Sequence, residues 1–110
     1  MLGHLEESVL IAVLELEKSN LPAFGLSIFD KLQLKNPKLV NGSVYSSLDR
    51  LETKGLLRSE PSNPTAKKGG RRKRLYFLEN AALEKLQQSL LEKKLSISNL
   101  EKTLPNLPNG

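Results

Sequence analysis

The stretch of sequence that decides the fold is NGSVYSSLDRLETKGLL, residues 41–57. It begins with Asn41, a residue type that favours the N-cap of a helix, and it contains Gly55, which suits the left-handed position just beyond a helix end. With 100° between successive residues, one side of the intervening segment carries three apolar residues: Val44, Leu48 and Leu51. The stretch is therefore predicted to form an amphipathic helix that ends at a glycine and is followed directly by a strand.

The opposite side of this helix is small, polar and weakly basic. It carries Gly42, Ser43, Ser46, Arg50 and Thr53, with Lys54 beside them and Tyr45 on the flank. Small residues let a helix backbone approach a groove closely, and hydroxyl and guanidinium groups reach phosphates or base edges. This face is a candidate nucleic-acid reader, and the alternative is an ordinary solvated surface.

Two further helices are predicted before residue 41. The first, from Leu5 to Lys18, is apolar nearly all round, which indicates a central helix, and Pro22 prevents its continuation. The second runs from Phe24 to Leu34 and ends before Pro37. Its expected core-facing residues are Phe24, Ile28, Leu32 and, as a further candidate, Leu34.

A β-hairpin is predicted after Gly55. Residues 56–60 and 74–78 form the strands, and the segment between them is rich in Pro, Gly, Ser and Asn. In the second strand, Leu75 and Phe77 alternate with Tyr76 and Leu78. We expect Leu75 and Phe77 to anchor the hairpin.

The tip and descending arm of the hairpin carry the basic run KKGGRRKR, residues 67–74. Its six cations contribute +6 to a formal net charge of +5, so the rest of the chain sums to −1. Positive charge focused in this way attracts polyanions, because each neutralised phosphate releases a counterion. The alternative for the run alone is a disordered basic linker or a targeting tag.

The last predicted helix begins at Asn80, another good N-cap, and extends to about Thr103 before Pro105. Its residues at alternating spacings of three and four are Leu83, Leu86, Leu90, Lys93, Ile97, Leu100, Leu104 and Leu107. A seam of this period fits a partner helix better than a flat core. The alternative is that the helix covers only its own domain.

The predicted order is three helices, a strand, a basic loop, a strand and a helix, which is mainly α with a small β-hairpin (α+β). That order is typical of a winged helix-turn-helix, in which a recognition helix lies in the major groove. The third helix and the basic hairpin then lie on one side of one module. We expect a winged-helix domain over residues 1–79, a dimerisation helix over 80–104 and a flexible tail over 105–110.

Composition and motifs exclude other classes. The chain has no Cys, and its longest apolar run is six residues, Val9 to Leu14, which is too short for a membrane span. No Lys or Arg precedes Lys18, so a secretory signal is not expected, and the predicted location is cytoplasmic. The only histidine, His4, has no predicted catalytic partner. No enzyme activity, cofactor or metal site is predicted, and Asp49 and Glu52 are interpreted as intrahelical ion-pair partners of the neighbouring Arg and Lys.

Three separated motifs resemble the PadR-like transcriptional regulators. They are LGHLEESVL at residues 2–10, the stretch 41–57, and PTAKKGGRRKRLY at residues 64–76. The resemblance covers residues 2 to about 83. Because the chain is short after the wing, it is similar to the short family members with a single C-terminal helix. It implies a dimeric winged-helix repressor that binds a palindromic promoter site. It also implies that Ser43, Tyr45 and Ser46 contact DNA, with Gly42 allowing a close approach.

The residues and the resemblance together predict a homodimeric regulator that binds double-stranded DNA. The candidate recognition-helix residues are Asn41, Gly42, Ser43, Tyr45, Ser46 and Arg50. The candidate wing residues are Lys67, Lys68, Gly70, Arg71, Arg72, Lys73 and Arg74. The candidate dimerisation residues are Leu83, Leu86, Leu90, Ile97 and Leu100. One rival is a winged-helix module that binds proteins. Another is an RNA or single-strand binder, which is disfavoured because only 5% of the residues are aromatic. A small-molecule effector is compatible with the sequence but not indicated by it.

Overall fold

The computed structural model of the chain describes residues 2–62 and 73–105. Within these ranges the elements are α1 (His4–Lys18), α2 (Gly25–Gln33), α3 (Asn41–Thr53), β1 (Leu57–Pro61), β2 (Arg74–Leu78) and α4 (Asn80–Thr103). The two strands form one antiparallel hairpin. The predicted α+β class and winged-helix order are confirmed.

Helix α1 is central, as its nearly continuous apolar sequence predicted. Val9, Leu10 and Val13 are fully buried, and α1 packs against α2, α3 and β2. The helix ends because Asn20 takes a left-handed conformation, φ 57°, and Leu21 N donates to Leu16 O at 2.9 Å. This Schellman turn ends the helix at Lys18, four residues before Pro22.

Helix α2 starts one residue later than predicted, and two of its expected core residues lie elsewhere. Phe24 is the extended N-cap rather than a helical residue, and it forms a β-bridge with Leu75. Tyr76 N donates to Ala23 O at 2.9 Å, so residues 23–24 lie against the free edge of β2 like a short third strand. Leu34 is 85% exposed, because the helix has already ended before it. Ile28 is fully buried, as predicted.

Helix α3 buries the predicted face, Val44, Leu48 and Leu51, each fully. Its start differs from the prediction, because Val40 is the N-cap and Asn41 is the first helical residue, with no side-chain capping hydrogen bond. Its end agrees with the prediction. Gly55 has φ +77°, and Leu56 N donates to Leu51 O at 2.9 Å, which completes a Schellman motif with two core leucines in contact.

The hairpin begins at Leu57, one residue after the predicted start, and pairs Leu57 with Leu78 and Pro61 with Arg74. Its buried residues are Leu57 in β1 and Tyr76 in β2, which are 2% and 5% exposed, whereas Leu75 and Phe77 are only partly buried. The expected anchoring by Leu75 and Phe77 is therefore wrong. Strand alternation was predicted correctly, but the core lies on the other face of β2, where Tyr76 belongs to the core and Leu78 packs against it.

Helix α4 has the predicted limits, although its N-cap is Glu79 rather than Asn80. Only Ala82 among its residues is buried, and Leu86 packs partly against the core. The rest of the helix extends away from the body, consistent with overall dimensions of 63 × 30 × 24 Å. No helix within the described ranges is long and apolar enough to span a membrane.

Candidate nucleic-acid interface

The outward face of α3 lies where the helix period predicted. Asn41, Gly42 and Ser46 are exposed and Ser43 is half-buried. A Cβ built on Gly42 would meet no atom within 4 Å, so the backbone here is open to a close approach. The face is therefore small, polar and accessible.

Tyr45 has a more defined position than its place on the helix flank suggested. Its ring packs directly over Gly25 at the start of α2, where an added Cβ would lie 2.5 Å from Tyr45 Cε1 and 2.6 Å from its hydroxyl oxygen. The ring remains 38% exposed. Gly25 is thus required for the approach of α2 to α3, a role that the sequence pattern gave no signal for.

Arg50 of α3 and Lys54, the C-cap of α3, both face a carboxylate of α1. Lys54 Nζ donates to both carboxylate oxygens of Glu6, at 2.8 and 3.1 Å, and Arg50 Nε lies 3.8 Å from Glu6 Oε2. Arg50 Nη2 also donates to the buried Ser47 hydroxyl at 3.2 Å. The predicted intrahelical pairing with Asp49 and Glu52 is wrong, because the nearer carboxylate comes from a helix 48 residues away in the chain.

Glu6 itself is almost enclosed, with a side chain that is 9% exposed. Its Oε1 also accepts a hydrogen bond from Gly3 N at 2.9 Å, the reciprocal half of a capping box at the start of α1. The Lys54 ammonium, the Gly3 N–H and the Arg50 guanidinium hold the pKa of the Glu6 carboxyl below its ordinary value of 4.5. The carboxylate therefore remains charged at neutral pH, with hydrogen bonds from two donor groups, Lys54 Nζ and Gly3 N, and with the Arg50 guanidinium nearby.

The wing contributes two described cations. The Lys73 ammonium lies 5.6 Å from the centre of the Phe24 ring, and Arg74 Nε donates to the Ser59 hydroxyl across the hairpin at 2.9 Å. Both residues are exposed. The other wing candidates, Lys67, Lys68, Gly70, Arg71 and Arg72, lie outside the described residues.

One flank of α3 and the start of the wing share one groove of about 570 Å³. Its walls come from the start of α2, from α3 and from β2, and its lining residues include Tyr45, Asp49, Lys73, Arg74 and Tyr76. Burial raises the pKa of the Tyr76 hydroxyl, and nearby Glu52 and Asp49 add to this effect. The flank of α3 that carries Tyr45 and Asp49 therefore borders the same concave surface as the described wing cations, whereas Gly42, Ser43, Ser46 and Arg50 lie outside its lining.

The candidate dimerisation residues lie along α4. Leu90, Ile97 and Leu100 are each more than half exposed, whereas Leu83 is 38% exposed and Leu86 is partly covered by the protomer's own core. The sequence pattern missed Leu91 and Leu95, which are 58% and 57% exposed and widen the apolar surface. Leu107 lies outside the described residues.

Lys93, the one charged residue in the predicted seam, has an intramolecular partner. It forms an ion pair with Glu7 of α1, and the Ser89 hydroxyl donates to the same carboxylate at 2.8 Å. These two hydrogen bonds lower the pKa of Glu7 below its ordinary value. Glu7 therefore links α1 to the middle of α4.

Within residues 2–62 and 73–105, no three His, Asp or Glu side chains are grouped as metal ligands would be. His4 is exposed at the first position of α1, where its carbonyl accepts a hydrogen bond from Ser8.

No family model matches the sequence, and no curated protein matches it. Solved structures do match its fold. A PadR family transcription regulator from Clostridium difficile R20291 has a TM-score of 0.71 at 24% identity, covering 94% of this chain and 100% of that one.

Two further structures agree. A transcriptional regulator from Clostridium thermocellum has a TM-score of 0.69 at 19% identity, covering 94% of this chain and 92% of that one. A PadR family transcriptional regulator from Eggerthella lenta has a TM-score of 0.67 at 22% identity, covering 90% and 82%. The chain thus has the winged-helix fold of the PadR family transcription regulators, as its three sequence motifs implied.

Proposed function

We propose that this chain is a PadR-like transcriptional regulator that binds double-stranded DNA in a sequence-specific manner as a homodimer. The observation that carries the proposal is the shared groove. Tyr45 and Asp49 of α3 border the same concave surface as Lys73 and Arg74, where the run of six cations ends. A reading helix beside a basic wing is the arrangement with which winged helices grip duplex DNA.

In the proposed complex, α3 lies in the major groove with Gly42 close to the DNA backbone. Ser43 and Ser46 contact base edges or phosphates, Tyr45 lies at the edge of the contact and Arg50 adds a guanidinium. The wing cations hold the phosphate backbone, and Arg71 and Arg72 are the candidates to enter a minor groove. Sequence choice then rests on α3, and affinity rests mainly on the wing.

Dimerisation through α4 completes the proposal. Two copies of the exposed leucine surface bury each other, and a pair of α3 helices about 34 Å apart then reads two half-sites of a palindrome. The resemblance to the PadR-like regulators implies a repressor, so we propose a repressor that acts in the cytoplasm. Residues 1–79 form the DNA-binding domain in this proposal, and 80–104 form the dimerisation helix.

The salt dependence of binding tests the proposal. If each protomer neutralises about four phosphates, the dimer should show a log–log slope of roughly −7 on duplex DNA. Fluorescence anisotropy with a labelled duplex at several salt concentrations measures this slope. A slope near zero would instead support the protein-interaction module, which the exposed apolar surface of α4 also suits.

Selection of bound sequences from random duplex DNA gives the second test. A two-fold symmetric consensus with half-sites about one helical turn apart supports the dimer on a palindrome. Recovery of unrelated sequences would contradict sequence-specific binding. A single-stranded competitor that displaces the duplex would favour the RNA or single-strand alternative.

A further inference from the structure

Glu6 is the most enclosed charged side chain among the described residues, and it faces the recognition helix rather than solvent. Its carboxylate receives Lys54 at 2.8 Å and has Arg50 at 3.8 Å. The side chains of Lys54 and Arg50 are 40% and 56% exposed, so both reach the surface of α3 from this enclosed contact. One carboxylate of α1 therefore faces both cations of the DNA-facing helix.

These contacts change what the two cations can do on DNA. A lysine that binds a phosphate strengthens binding by releasing a counterion, and this gain does not depend on sequence. Lys54 must first leave a largely enclosed carboxylate, which would then lie uncompensated close to DNA. The ion pair therefore opposes a phosphate contact by Lys54. Arg50 is restrained in a similar way by Glu6 and by the Ser47 hydroxyl, which limit the directions its guanidinium can take.

We propose that Glu6 is a positioning residue that sets specificity, because it withholds Lys54 from the phosphate backbone and orients Arg50 on α3. This inference rests on the proposed DNA-binding function and assigns Glu6 a role within it. Non-specific affinity is kept low by removing a sequence-independent contact. The polar face of α3 then contributes a larger share of the total binding energy at the correct site.

Glu6→Gln isolates the charge from the shape of the side chain. The amide oxygen can still accept the hydrogen bond from Gly3 N, so the start of α1 is kept while the attraction for Lys54 and Arg50 is lost. We expect non-specific duplex binding to rise about threefold to tenfold near 0.1 M salt, and the salt slope to steepen by about 0.9 per protomer for each freed cation. The ratio of specific to non-specific affinity should fall accordingly.

Glu15→Gln is the matched control. It removes the same unit charge from the same helix, but Glu15 pairs at 3.7 Å with Lys31 of α2 and not with α3. We expect its salt slope to equal that of the unmodified chain. If Glu6→Gln and Glu15→Gln give equal slopes, the inference is wrong.

Lys54→Gln completes a double-mutant cycle. Alone, it should leave the salt slope unchanged, because the Lys54 charge is already engaged by Glu6. Combined with Glu6→Gln, it should reverse about 0.9 of the steepening per protomer. A flatter slope for the single variant would mean that Lys54 contacts phosphate in the unmodified protein. Full steepening in the double variant would mean that the lost negative charge, rather than a freed lysine, caused the effect. Either result overturns the inference.

The outcomes separate the inference from the function on which it rests. If the unmodified dimer shows no salt-dependent binding to duplex DNA, the proposed function itself fails. If it binds with a slope near −7 and the cycle shows no coupling, only the role of Glu6 fails. Thermal melting by circular dichroism establishes that each variant is folded at the assay temperature. If Glu6→Gln is unfolded at that temperature, Lys54→Gln alone is used. An unchanged salt slope then agrees with the inference, and a flatter slope overturns it.

Discussion

Helices α3 and α4 bury very different shares of their apolar residues. In 13 residues α3 buries Val44, Ser47, Leu48 and Leu51 and presents a polar face, whereas α4 buries only Ala82 in 24 residues. The apolar side of α3 is fully covered by the rest of the chain. In contrast, α4 exposes five large apolar residues: Leu90, Leu91, Leu95, Ile97 and Leu100. A helix that buries so little gains little stability from its own domain, and isolated helices are marginal in water. The comparison teaches that α3 belongs to the folded body, whereas most of α4 lies outside it, which is why we propose a partner surface for α4.

Truncation of the chain after Glu92 should have the largest effect. It removes the distal leucines of α4 while keeping Ala82, Leu86 and the whole winged-helix body. We expect complete loss of the dimer in sedimentation equilibrium at micromolar concentration, with the far-ultraviolet signal of α1 to α3 retained. Truncation after Thr103 is the control and should leave the dimer intact. An unchanged dimer after removal of residues 93–110 would exclude α4 from dimerisation.

Comparing Leu48→Ala with Leu100→Ala measures how much a buried leucine of α3 and an exposed leucine of α4 contribute to stability and to dimer affinity. Leu48 is fully buried, so we expect a loss of about 2–5 kcal/mol in the free energy of unfolding. Leu100 is 55% exposed in the protomer, so its substitution should lower dimer affinity while changing the unfolding of the dissociated protomer by less than about 0.5 kcal/mol. Chemical denaturation at several protein concentrations separates the two effects. If both variants lost the same free energy of unfolding, and the loss did not depend on protein concentration, the contrast between α3 and α4 would be contradicted.

The proposal that the wing supplies affinity and α3 supplies sequence choice is tested with two variants. One combines Arg71→Ala with Arg72→Ala, and the other is Ser46→Ala. The wing pair should weaken binding to every duplex about tenfold to a hundredfold and flatten the salt slope by about 1.8 per protomer. Ser46→Ala should keep the slope and reduce the preference for the selected site, and Arg50→Ala should act in the same direction. Anisotropy titrations with specific and scrambled duplexes measure both quantities. Normal binding by the wing variant near 0.15 M salt would contradict the two-point grip.

Gly25→Ala should disturb the reading face from outside α3. The added methyl group would lie 2.5 Å from Tyr45 Cε1, so the ring or helix α2 must move. We expect a loss of about 1–3 kcal/mol in stability, as for other overpacked sites. Tyr45→Ala combined with Gly25→Ala should recover part of this loss, because the clash is removed. Gly42→Ala is the control, since no atom lies within 4 Å of its added Cβ. Equal melting temperatures for the Gly25 and Gly42 variants would refute the close contact.

Acid pH should produce the smallest effect. Glu6 and Glu7 have pKa values below 4.5 in the folded chain, because they accept hydrogen bonds from Lys54 and Lys93. A depressed pKa adds stability above the unfolded value, and this stability is lost as pH falls from about 4.5 through the folded-state pKa. Denaturation curves between about pH 6 and pH 3 should show this loss. It should be smaller in Glu6→Gln and in Glu7→Gln, and an equally steep loss in both variants would contradict the assignment.

Local signals predicted most of the fold. The ends of α4, the strand Arg74–Leu78 and the glycine stop of α3 agree with the structure because each depends on residues a few positions apart. The N-caps were each placed one residue late: Asn41 and Asn80 were expected, and Val40 and Glu79 are found. Asn is favoured at N-caps only on average, and here no side-chain bond enforces that position.

The candidate site was predicted less completely than the fold. The exposed positions of Gly42, Ser46, Arg50 and Thr53 followed from the helix period alone. The helix period did not predict that Glu6 is the partner of Arg50 and Lys54. A pattern within one helix shows only neighbours three and four residues away. Phe24 was predicted to be helical, but it forms a β-bridge with Leu75. A local sequence pattern does not show this contact, because the two residues are far apart in the chain.

The sequence by itself thus determined the order of elements, the amphipathic faces of α1 and α3, and the concentration of positive charge beside the second strand. These properties depend on spacing and composition over short distances. The tertiary structure alone decided that Tyr76 is the inward residue of the hairpin, that Gly25 makes room for Tyr45, and that Glu6 engages the cations of α3. Each of these requires two segments to meet, and only packing brings such segments together.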